Sequence, residues 1–472
     1  MTKKAFKYDM QRGLGSCVVA LKNMEDAQKE AFQSIVLWGC SRELAFDAQC
    51  EGCRSFYLYE LIREFPNITP FLDVVEKRLF HAMHSTGWEF VQDCTLLVYL
   101  VSDGNKRACK ILTACYQALL KNLSEKRRRG RYGILPERDN FEHMCVALVY
   151  SCFDDRARSI QIYKRIVRDL GDLIEGNMLY DYDDFEWFQA SSEEKLGKKT
   201  VQMLLYRPDA DESTKKYACF RKERLRTRKS ENERKRRSDP ETADEVYQRL
   251  KAGEKVGQMC SLMLGRTFMK QGKKLEVLKL AAYYREEADA EIRYNLLRLI
   301  ANKTCAWALA LPCLIADTQS KHSELSERAF TALGYRRDAS VRDYAIALLQ
   351  KNEHTADAVS MLAANYEAAD KEYFAEAVKR IPITYADGYW HSAFRDVIDL
   401  FSVAGKGKPK ELLPYMYRNS LCSYCRERVV IEMGRRRMLT RALLEEMQYD
   451  CNEDIRSYAE RKLFRMMGIE VH

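Results

Sequence analysis

Cysteine and histidine are the residues of this 472-residue chain whose spacing comes nearest to that of a metal site. Two pairs of cysteines have the Cys-x-x-Cys spacing: Cys50 with Cys53 and Cys422 with Cys425. His81 and His84 follow the first pair. A structural zinc ion needs four ligands brought together by tight turns, whereas the second pair lies in a helix-like stretch. We therefore interpret most of the 16 cysteines as reduced core residues, and we predict no metal and no cofactor.

Catalytic motifs are absent from the sequence. It contains no P-loop, no dinucleotide fingerprint, no His-Glu-x-x-His and no Gly-x-Ser-x-Gly. Among the seven histidines, His391 beside Trp390 is the most site-like. A lone histidine near a helix start is, however, more often a capping or surface residue. The sequence therefore favours a protein without enzymatic activity, and we assign no catalytic residue.

Basic residues are concentrated in residues 215–237, which we call the basic segment. It holds twelve Lys or Arg and three Glu, which accounts for the whole formal net charge of +9. The segment contains no Pro or Gly, so we expect a helix or a helix-biased arm. Such an arm suits the phosphates of a nucleic acid or another macromolecular partner. The candidate contact residues in it are Arg221, Lys222, Arg224, Arg226, Arg228, Arg234 and Arg236.

Residues 175–194, directly upstream, have the opposite character. They include seven Asp or Glu and no Lys or Arg, with aromatic residues interleaved. One interpretation is a solvated linker between two helical blocks. Another is a segment that docks its rings on a partner or folds over the basic segment when no ligand is bound. The candidate docking residues are Tyr182, Phe185 and Trp187, with Trp390 further along the chain.

Two further arginine clusters lie near expected helix ends: Arg127, Arg128 and Arg129, and Arg435, Arg436 and Arg437. Cations at helix C-termini complement the helix dipole and the unpaired carbonyls, so either cluster alone suits capping. If the chain curves, the two clusters and the basic segment could instead line one surface that binds phosphates or a protein partner.

A repeated phrase carries the information about fold. It begins at Asp289, Asp338 and Asn452, and continues with Ile or Val at the fourth position, Arg at the fifth and Leu or Ala at the eighth. The first residue can cap a helix, while the fourth and eighth share one face. The phrase resembles the second helix of a HEAT repeat, most clearly over residues 274–349 and 421–466. The resemblance implies an all-α, HEAT-like α-solenoid of stacked antiparallel helix pairs.

The resemblance also implies an order along the chain and a role for the repeated arginines. We expect an N-terminal helical block of degenerate repeats over residues 1–174, a charged insertion or linker over 175–253, and C-terminal repeats over 254–472. In HEAT repeats the phrase arginine pairs with an aspartate of a neighbouring repeat, so the arginines of the phrase should form a structural ladder. The alternative is a rail of phosphate contacts. The four arginines are Arg293, Arg342, Arg426 and Arg456.

Solenoids mostly bind other molecules, so the resemblance implies a non-enzymatic scaffold whose concave surface holds a macromolecular partner, with protein favoured over nucleic acid. One alternative is a nucleic-acid-binding protein that grips phosphates with the basic segment. Another is a HEAT-like alkylpurine DNA glycosylase, a family with Asp four residues after a Trp. The five positions four residues after Trp are Arg42, Gln92, Ser191, Leu311 and Phe394. No stretch approaches about 18 uncharged apolar residues, so we expect a cytoplasmic protein with no membrane contact.

Overall fold

The computed structural model describes residues 1–85, 87–128, 136–152, 155–174, 185–237, 242–254, 274–386, 388–403 and 407–467. Within these ranges the chain forms 26 α-helices and two short 3₁₀ helices, with no β-strand. The predicted all-α, solenoid-like class is thereby confirmed. No helix of the described part is long and apolar enough to cross a bilayer.

The helices fall into two compact units. Unit 1 comprises Met1–Arg236, Leu421–Tyr424 and Leu439–His472, and unit 2 comprises Arg237–Ser420 and Cys425–Met438. The sequence analysis divides the chain into three consecutive segments, and these domain boundaries stay a prediction.

Unit 1 consists of helices of 4 to 26 residues, most of which pack against the next helix, or the next but one, along the chain. They are α1 (Lys3–Arg12), α2 (Ser16–Lys22), α3 (Asp26–Cys40), α4 (Ala48–Glu51), α5 (Ser55–Ile62), α6 (Thr69–Ala82), α7 (Trp88–Ser102), α8 (Lys106–Arg128), α9 (Pro136–Tyr150), α10 (Arg156–Ile174), α11 (Glu186–Leu196), α12 (Lys198–Tyr206) and α13 (Glu212–Arg237), with α25 (Arg441–Met447) and α26 (Glu453–Met466) from the end of the chain.

Unit 2 has the same packing between consecutive helices and between alternate ones, which is the contact pattern of stacked helix pairs. Its helices are α14 (Ala243–Lys251), α15 (Lys274–Glu286), α16 (Ala290–Ile300), α17 (Leu311–Asp317), α18 (Ser323–Leu333), α19 (Ala339–Lys351), α20 (Thr355–Ala364), α21 (Lys371–Arg380), α22 (Tyr389–Ser402), α23 (Leu412–Asn419) and α24 (Ser423–Arg435), the last beginning in unit 1.

Helix α19 illustrates how the repeated phrase becomes structure. The side chain of Asp338 accepts a hydrogen bond from the backbone N–H of Ser340, which satisfies a donor that the helix itself leaves free. Val341 and Ala345, four residues apart, are fully buried on one face. The helix ends at Lys351 and is capped by Asn352, whose φ of 60° lies in the left-handed region that Asn tolerates. Polar caps and an apolar face thus define the element.

The phrase arginines of α16 and α19 form the expected ladder. Arg293 Nη2 lies 2.6 Å from Asp317 Oδ2 at the end of α17, in the next helix pair. Arg342 Nη2 lies 2.6 Å from Asp370 Oδ1, just before α21. Both carboxylates are nearly buried, so these two arginines are held by the fold and are poor candidates for a phosphate rail.

The other two phrase arginines donate hydrogen bonds to backbone carbonyls. Arg426 is fully buried, and its Nη1 lies 3.2 Å from the carbonyl oxygen of Ser420. Arg456 Nη1 lies 2.9 Å from the carbonyl oxygen of Asp450 and 3.0 Å from that of Cys451. These contacts are also structural, because they satisfy carbonyls in the turns that precede α24 and α26.

The two ends of the chain meet within unit 1. The backbone N–H of Cys451 donates to the carbonyl oxygen of Gly13 at 2.9 Å, and Gly13 has a left-handed φ of 70°. A Cβ at Gly15 would lie 1.9 Å from the carbonyl oxygen of Glu446, so this approach requires glycine. Arg54, which is 2% exposed, donates to the carbonyl oxygen of Leu421. The last helices are therefore part of the N-terminal core.

Candidate functional site

Helix α13 contains the basic segment and changes character along its length. Its first turns belong to the core, since Tyr217 is fully buried and Phe220 is 4% exposed. Beyond Phe220, Lys222 and Arg226 are exposed. Arg221, at the boundary, lies 3.6 Å from Glu193, while its Nε–H is buried without an acceptor. The helix is thus anchored at one end and presents cations from its next turns.

The remaining candidates in the basic segment lie further along the same helix. Arg224 is half-buried. Arg228, Arg234 and Arg236 are within the helical backbone of α13, and their side chains lie outside the described residues.

Of the aromatic candidates, the exposed one among the described residues is Trp187. It is 45% exposed, and its ring meets His143 edge to face with 4.5 Å between the ring centroids. Burial lowers the pKa of His143 to about 4, which keeps that ring neutral. Phe185 is 2% exposed and Trp390 is fully buried, so both rings are core residues. Tyr182 lies outside the described residues.

The two arginine clusters lie at the ends of helices α24 and α8. Arg435 and Arg436 both form ion pairs with Glu432, and Arg436 also donates to the carbonyl oxygen of Phe401 at 2.7 Å. Arg437 is exposed, with a left-handed φ of 57°. These contacts fit a capping role at the end of α24. In the other cluster, Arg127 and Arg128 close α8 with side chains outside the described residues, and Arg129 lies outside them altogether.

A cleft in unit 1 brings together three cations of α10 and Arg207, which follows α12. It encloses about 380 Å³ between α10, α12 and α13 and is called here the basic cleft. Its charged residues are Lys164, Arg165, Arg168 and Arg207, with Asp211 as the only carboxylate among the described lining residues. The signal that could have located it is the spacing on α10, where positions 164, 165 and 168 share one helix face.

Close approach of α13 to α10 shapes the basic cleft. A Cβ at Gly171 would lie 1.9 Å from the carbonyl oxygen of Ser213, so glycine is required there. Asp211 caps α13, accepting hydrogen bonds from Thr214 N at 2.8 Å and Thr214 Oγ1 at 2.9 Å. Burial works to raise the pKa of Asp211, but these hydrogen bonds outweigh it and hold the pKa below its ordinary value. The carboxylate is therefore committed to the helix start.

A larger cavity lies in unit 2, where α18, α20 and α22 begin. It encloses about 690 Å³ and is called here the aromatic–acidic cavity. Phe330 and Trp390 are buried in its wall, while Tyr389 is 46% exposed at the rim. The hydroxyl of Tyr389 donates to Glu327 Oε1 at 2.5 Å. Asp357, in the first turn of α20, provides a second carboxylate.

His354 and Asp357 form a strained pair at the cavity. His354 has a left-handed φ of 44°, and its ring packs on Phe330 with 4.5 Å between the centroids. Its Nδ1 lies 3.6 Å from Asp357 Oδ2. Burial raises the pKa of Asp357 from 3.8 to about 6, even though His354 acts in the opposite direction. Non-glycine residues in the left-handed region concentrate at functional sites, which singles out this turn.

One group of side chains in unit 2 has the spacing of metal ligands: Glu291, His322 and Glu324. His322 Nδ1 accepts the backbone N–H of Leu325 and caps α18, so in the neutral ring Nε2 carries the proton and faces Glu291 Oε2 at 3.1 Å. A metal on Nε2 would move the proton to Nδ1 and break the cap. The geometry therefore fits capping better than metal binding.

Comparisons with known proteins give no family. No family model matches the chain, and no curated protein matches it. Two solved structures align along nearly its whole length. An engineered protein has 12% identity over 95% of this chain and 98% of its own, with a TM-score of 0.18. SYS-1 has 10% identity over 98% of this chain and 97% of its own, with a TM-score of 0.25. At such scores neither adds to the helical architecture described above.

Proposed function

We propose that this chain is a non-enzymatic, HEAT-like helical scaffold, and that its aromatic–acidic cavity holds a basic side chain of a protein partner. The observation that carries the proposal is the pairing of carboxylates with rings in one cavity. Glu327 and Asp357 line the same space as Tyr389, whose ring is exposed, while Phe330 and Trp390 are buried in the wall. The volume, about 690 Å³, is within the range of ligand sites.

A guanidinium or ammonium group suits this lining for two physical reasons. Carboxylates form charge-assisted hydrogen bonds with it, and aromatic rings attract a cation through their quadrupole. Lys321 is exposed at the rim and reduces the local negative charge, so we expect the partner's cation to lie deeper, beside Asp357. Arginine fits better than lysine because its planar fork both stacks on rings and donates to two oxygens.

A pair of isosteric peptides tests the proposal. The probes are a fluorescent pentapeptide, Gly-Leu-Arg-Leu-Gly, and the same peptide with citrulline, which is neutral, in place of arginine. We expect the arginine peptide to bind wild-type protein more tightly by fluorescence anisotropy, and the doubly substituted Glu327→Gln/Asp357→Asn variant to lose the difference. Glu372→Gln, an exposed carboxylate of α21 outside the cavity, is the matched control. Equal affinity for the two peptides contradicts the proposal.

The same assay has an expected pH dependence. The pKa of Asp357 is raised to about 6, so the carboxylate becomes charged as pH rises through that value. Affinity for the arginine peptide should therefore increase between about pH 5 and 7, and the citrulline peptide should show no such increase. An arginine-specific affinity that is flat over this range would place the cation away from Asp357.

Nucleic-acid binding is the second candidate, and the exposed cations of α13 favour it. Lys222 and Arg226 face solvent on a helix whose start is fixed in the core. Phosphate contacts release counterions, so affinity for an oligonucleotide should fall steeply between about 50 and 200 mM salt. Deletion of residues 221–237 should abolish it. If the affinity for the oligonucleotide does not change with salt, or if binding survives the deletion, this candidate function is wrong. The glycosylase alternative stays a prediction of the sequence.

A further inference from the structure

We infer that the basic cleft of unit 1 is a binding site for a phosphate group. For the source of the phosphate, the inference rests on the second candidate function, nucleic-acid binding. The phosphate would contact α10 and the end of α12, and not the exposed part of the basic segment. Four cations line about 380 Å³ with a single carboxylate, Asp211, among the described lining residues. That carboxylate caps α13 through Thr214 and forms no ion pair with a described residue, although the charge of Arg168 acts on it.

Arg165 is a partly buried cation of the cleft. It lines the cleft, and its Nε–H is buried with no acceptor in the described part of the protein. A buried donor without a partner costs about 1–3 kcal/mol, so the fold holds this side chain in place at a cost. The centre of the guanidinium lies 5.0 Å from the centroid of the Tyr116 ring, a cation–π contact. The terminal nitrogens of Arg165, which are not buried in this way, are the donors that an oxyanion in the cleft can reach.

The carboxylates near the cleft are committed elsewhere. Asp169 accepts a hydrogen bond from the hydroxyl of Tyr116 at 2.6 Å, and Asp172 accepts one from Ser213. Lys164 and Arg168 are exposed and form no ion pair within the described residues. The four cations of the cleft thus outnumber its one described lining carboxylate, Asp211, an arrangement that a bound anion stabilises.

Phosphate is the anion that this lining fits best. Arg165, Arg168 and Arg207 offer guanidinium forks, which match phosphate oxygens, and Lys164 adds a point charge. A carboxylate has two oxygens and one charge, too few for four cations. Arg207 Nη1 lies 3.8 Å from Asp209, an exposed and weak pair that leaves the fork available to a stronger acceptor.

Two sources of phosphate are separated by two probes. The first is a labelled single-stranded 20-mer oligonucleotide, and the second is pyrophosphate followed by calorimetry. The cleft variant is Lys164→Gln/Arg168→Gln, both exposed so that folding is retained, and the comparison variant is Lys222→Gln/Arg226→Gln on α13. Lys121→Gln, with 76% of its side chain exposed on α8, is the control for charge alone. Circular dichroism melts check that every variant is folded.

We expect the cleft variant to bind the oligonucleotide roughly tenfold more weakly at 100 mM salt and to lower the slope of log affinity against log salt by about two, one for each lost phosphate contact. Pyrophosphate should compete with the oligonucleotide on wild-type protein and not bind the cleft variant. The Lys121→Gln control should match the wild type.

The outcomes separate this inference from the second candidate function. If the cleft variant binds the oligonucleotide as well as wild type does, and the α13 variant does not bind it, the inference is wrong and nucleic-acid binding remains supported. If wild-type protein binds pyrophosphate but no oligonucleotide, and the cleft variant does not bind pyrophosphate, the inference is supported with a small phosphate ligand. The same result contradicts nucleic-acid binding. If neither probe binds wild-type protein, the inference is overturned.

Discussion

Asp357 offers a prediction in which the pH dependence has a definite sign. Burial raises the pKa of this carboxyl from 3.8 to about 6 in the folded protein. A raised carboxyl pKa means that the folded state holds the proton more tightly than the unfolded state. The resulting stability is fully present below about pH 4 and is lost as pH rises through about 6. Asp357→Asn, which cannot ionise, should not lose it.

The magnitude follows from the size of the shift. Each pKa unit corresponds to about 1.4 kcal/mol, so a shift of about two units sets an upper bound of about 3 kcal/mol. The side chain of Asp357 is 26% exposed, and solvent screening reduces the effect. We expect the free energy of unfolding of Asp357→Asn, relative to wild type, to rise by about 1–3 kcal/mol between pH 4 and pH 7.

Urea unfolding followed by tryptophan fluorescence provides the measurement, because Trp390 lies in the cavity wall. The matched control is Asp338→Asn at the start of α19. Hydrogen bonds from Ser340 hold the pKa of Asp338 below its ordinary value, so its stabilisation is lost as pH falls and the difference from wild type should run in the opposite direction. A difference between Asp357→Asn and wild type that is equal at pH 4 and pH 7 would refute the reasoning.

Three further predictions concern packing, the ladder and capping. Gly15→Ala forces a Cβ against the carbonyl oxygen of Glu446 and should cost about 2–3 kcal/mol in thermal unfolding, so an unchanged melting temperature would contradict the packing of the chain ends. Arg293→Met leaves the carboxylate of Asp317 without its cation and should cost about 1.5–3 kcal/mol, part of which Arg293→Met/Asp317→Asn should recover; strict additivity in the double-mutant cycle argues against the ladder. His322→Ala should lose about 1 kcal/mol of helix-cap energy and His322→Asn should retain most of it, whereas equal losses would show that the ring does not cap.

The sequence predicts those parts of the fold that depend on local interactions. Asp289 and Asp338 cap their helices because a short carboxylate reaches backbone N–H groups two or three residues on, within one turn. The pairing of Arg293 with Asp317 can be predicted for a related reason, because a repeat places successive helix pairs in the same relative position. These features need no knowledge of distant contacts.

Burial of particular rings could not be predicted in the same way. Trp390, in the first turn of α22, is one of the docking residues that the sequence suggests. In the structure the ring is fully buried, and its indole N–H donates to the carbonyl oxygen of Thr384 at 2.8 Å. Which of two neighbouring aromatic residues faces solvent is decided by the helices packed against α22, and a single helix pattern does not specify them.

The sequence also does not show which charged side chains are paired in the fold, and this pairing decides where an anionic partner would bind. Runs of arginine attract attention in a sequence, yet Arg435 and Arg436 both pair with Glu432, so these two side chains are already engaged in the fold. Lys164 and Arg165 are separated from Arg168 by two apolar residues, and helical spacing places the three cations on one face of α10. Lys164 and Arg168 line the cleft without an ion-pair partner in the described residues. An anion responds to the uncompensated charge at a surface and not to the density of charge along the chain. The cleft between α10 and α12 is therefore a better place to look for phosphate than the arginine run at the end of α24.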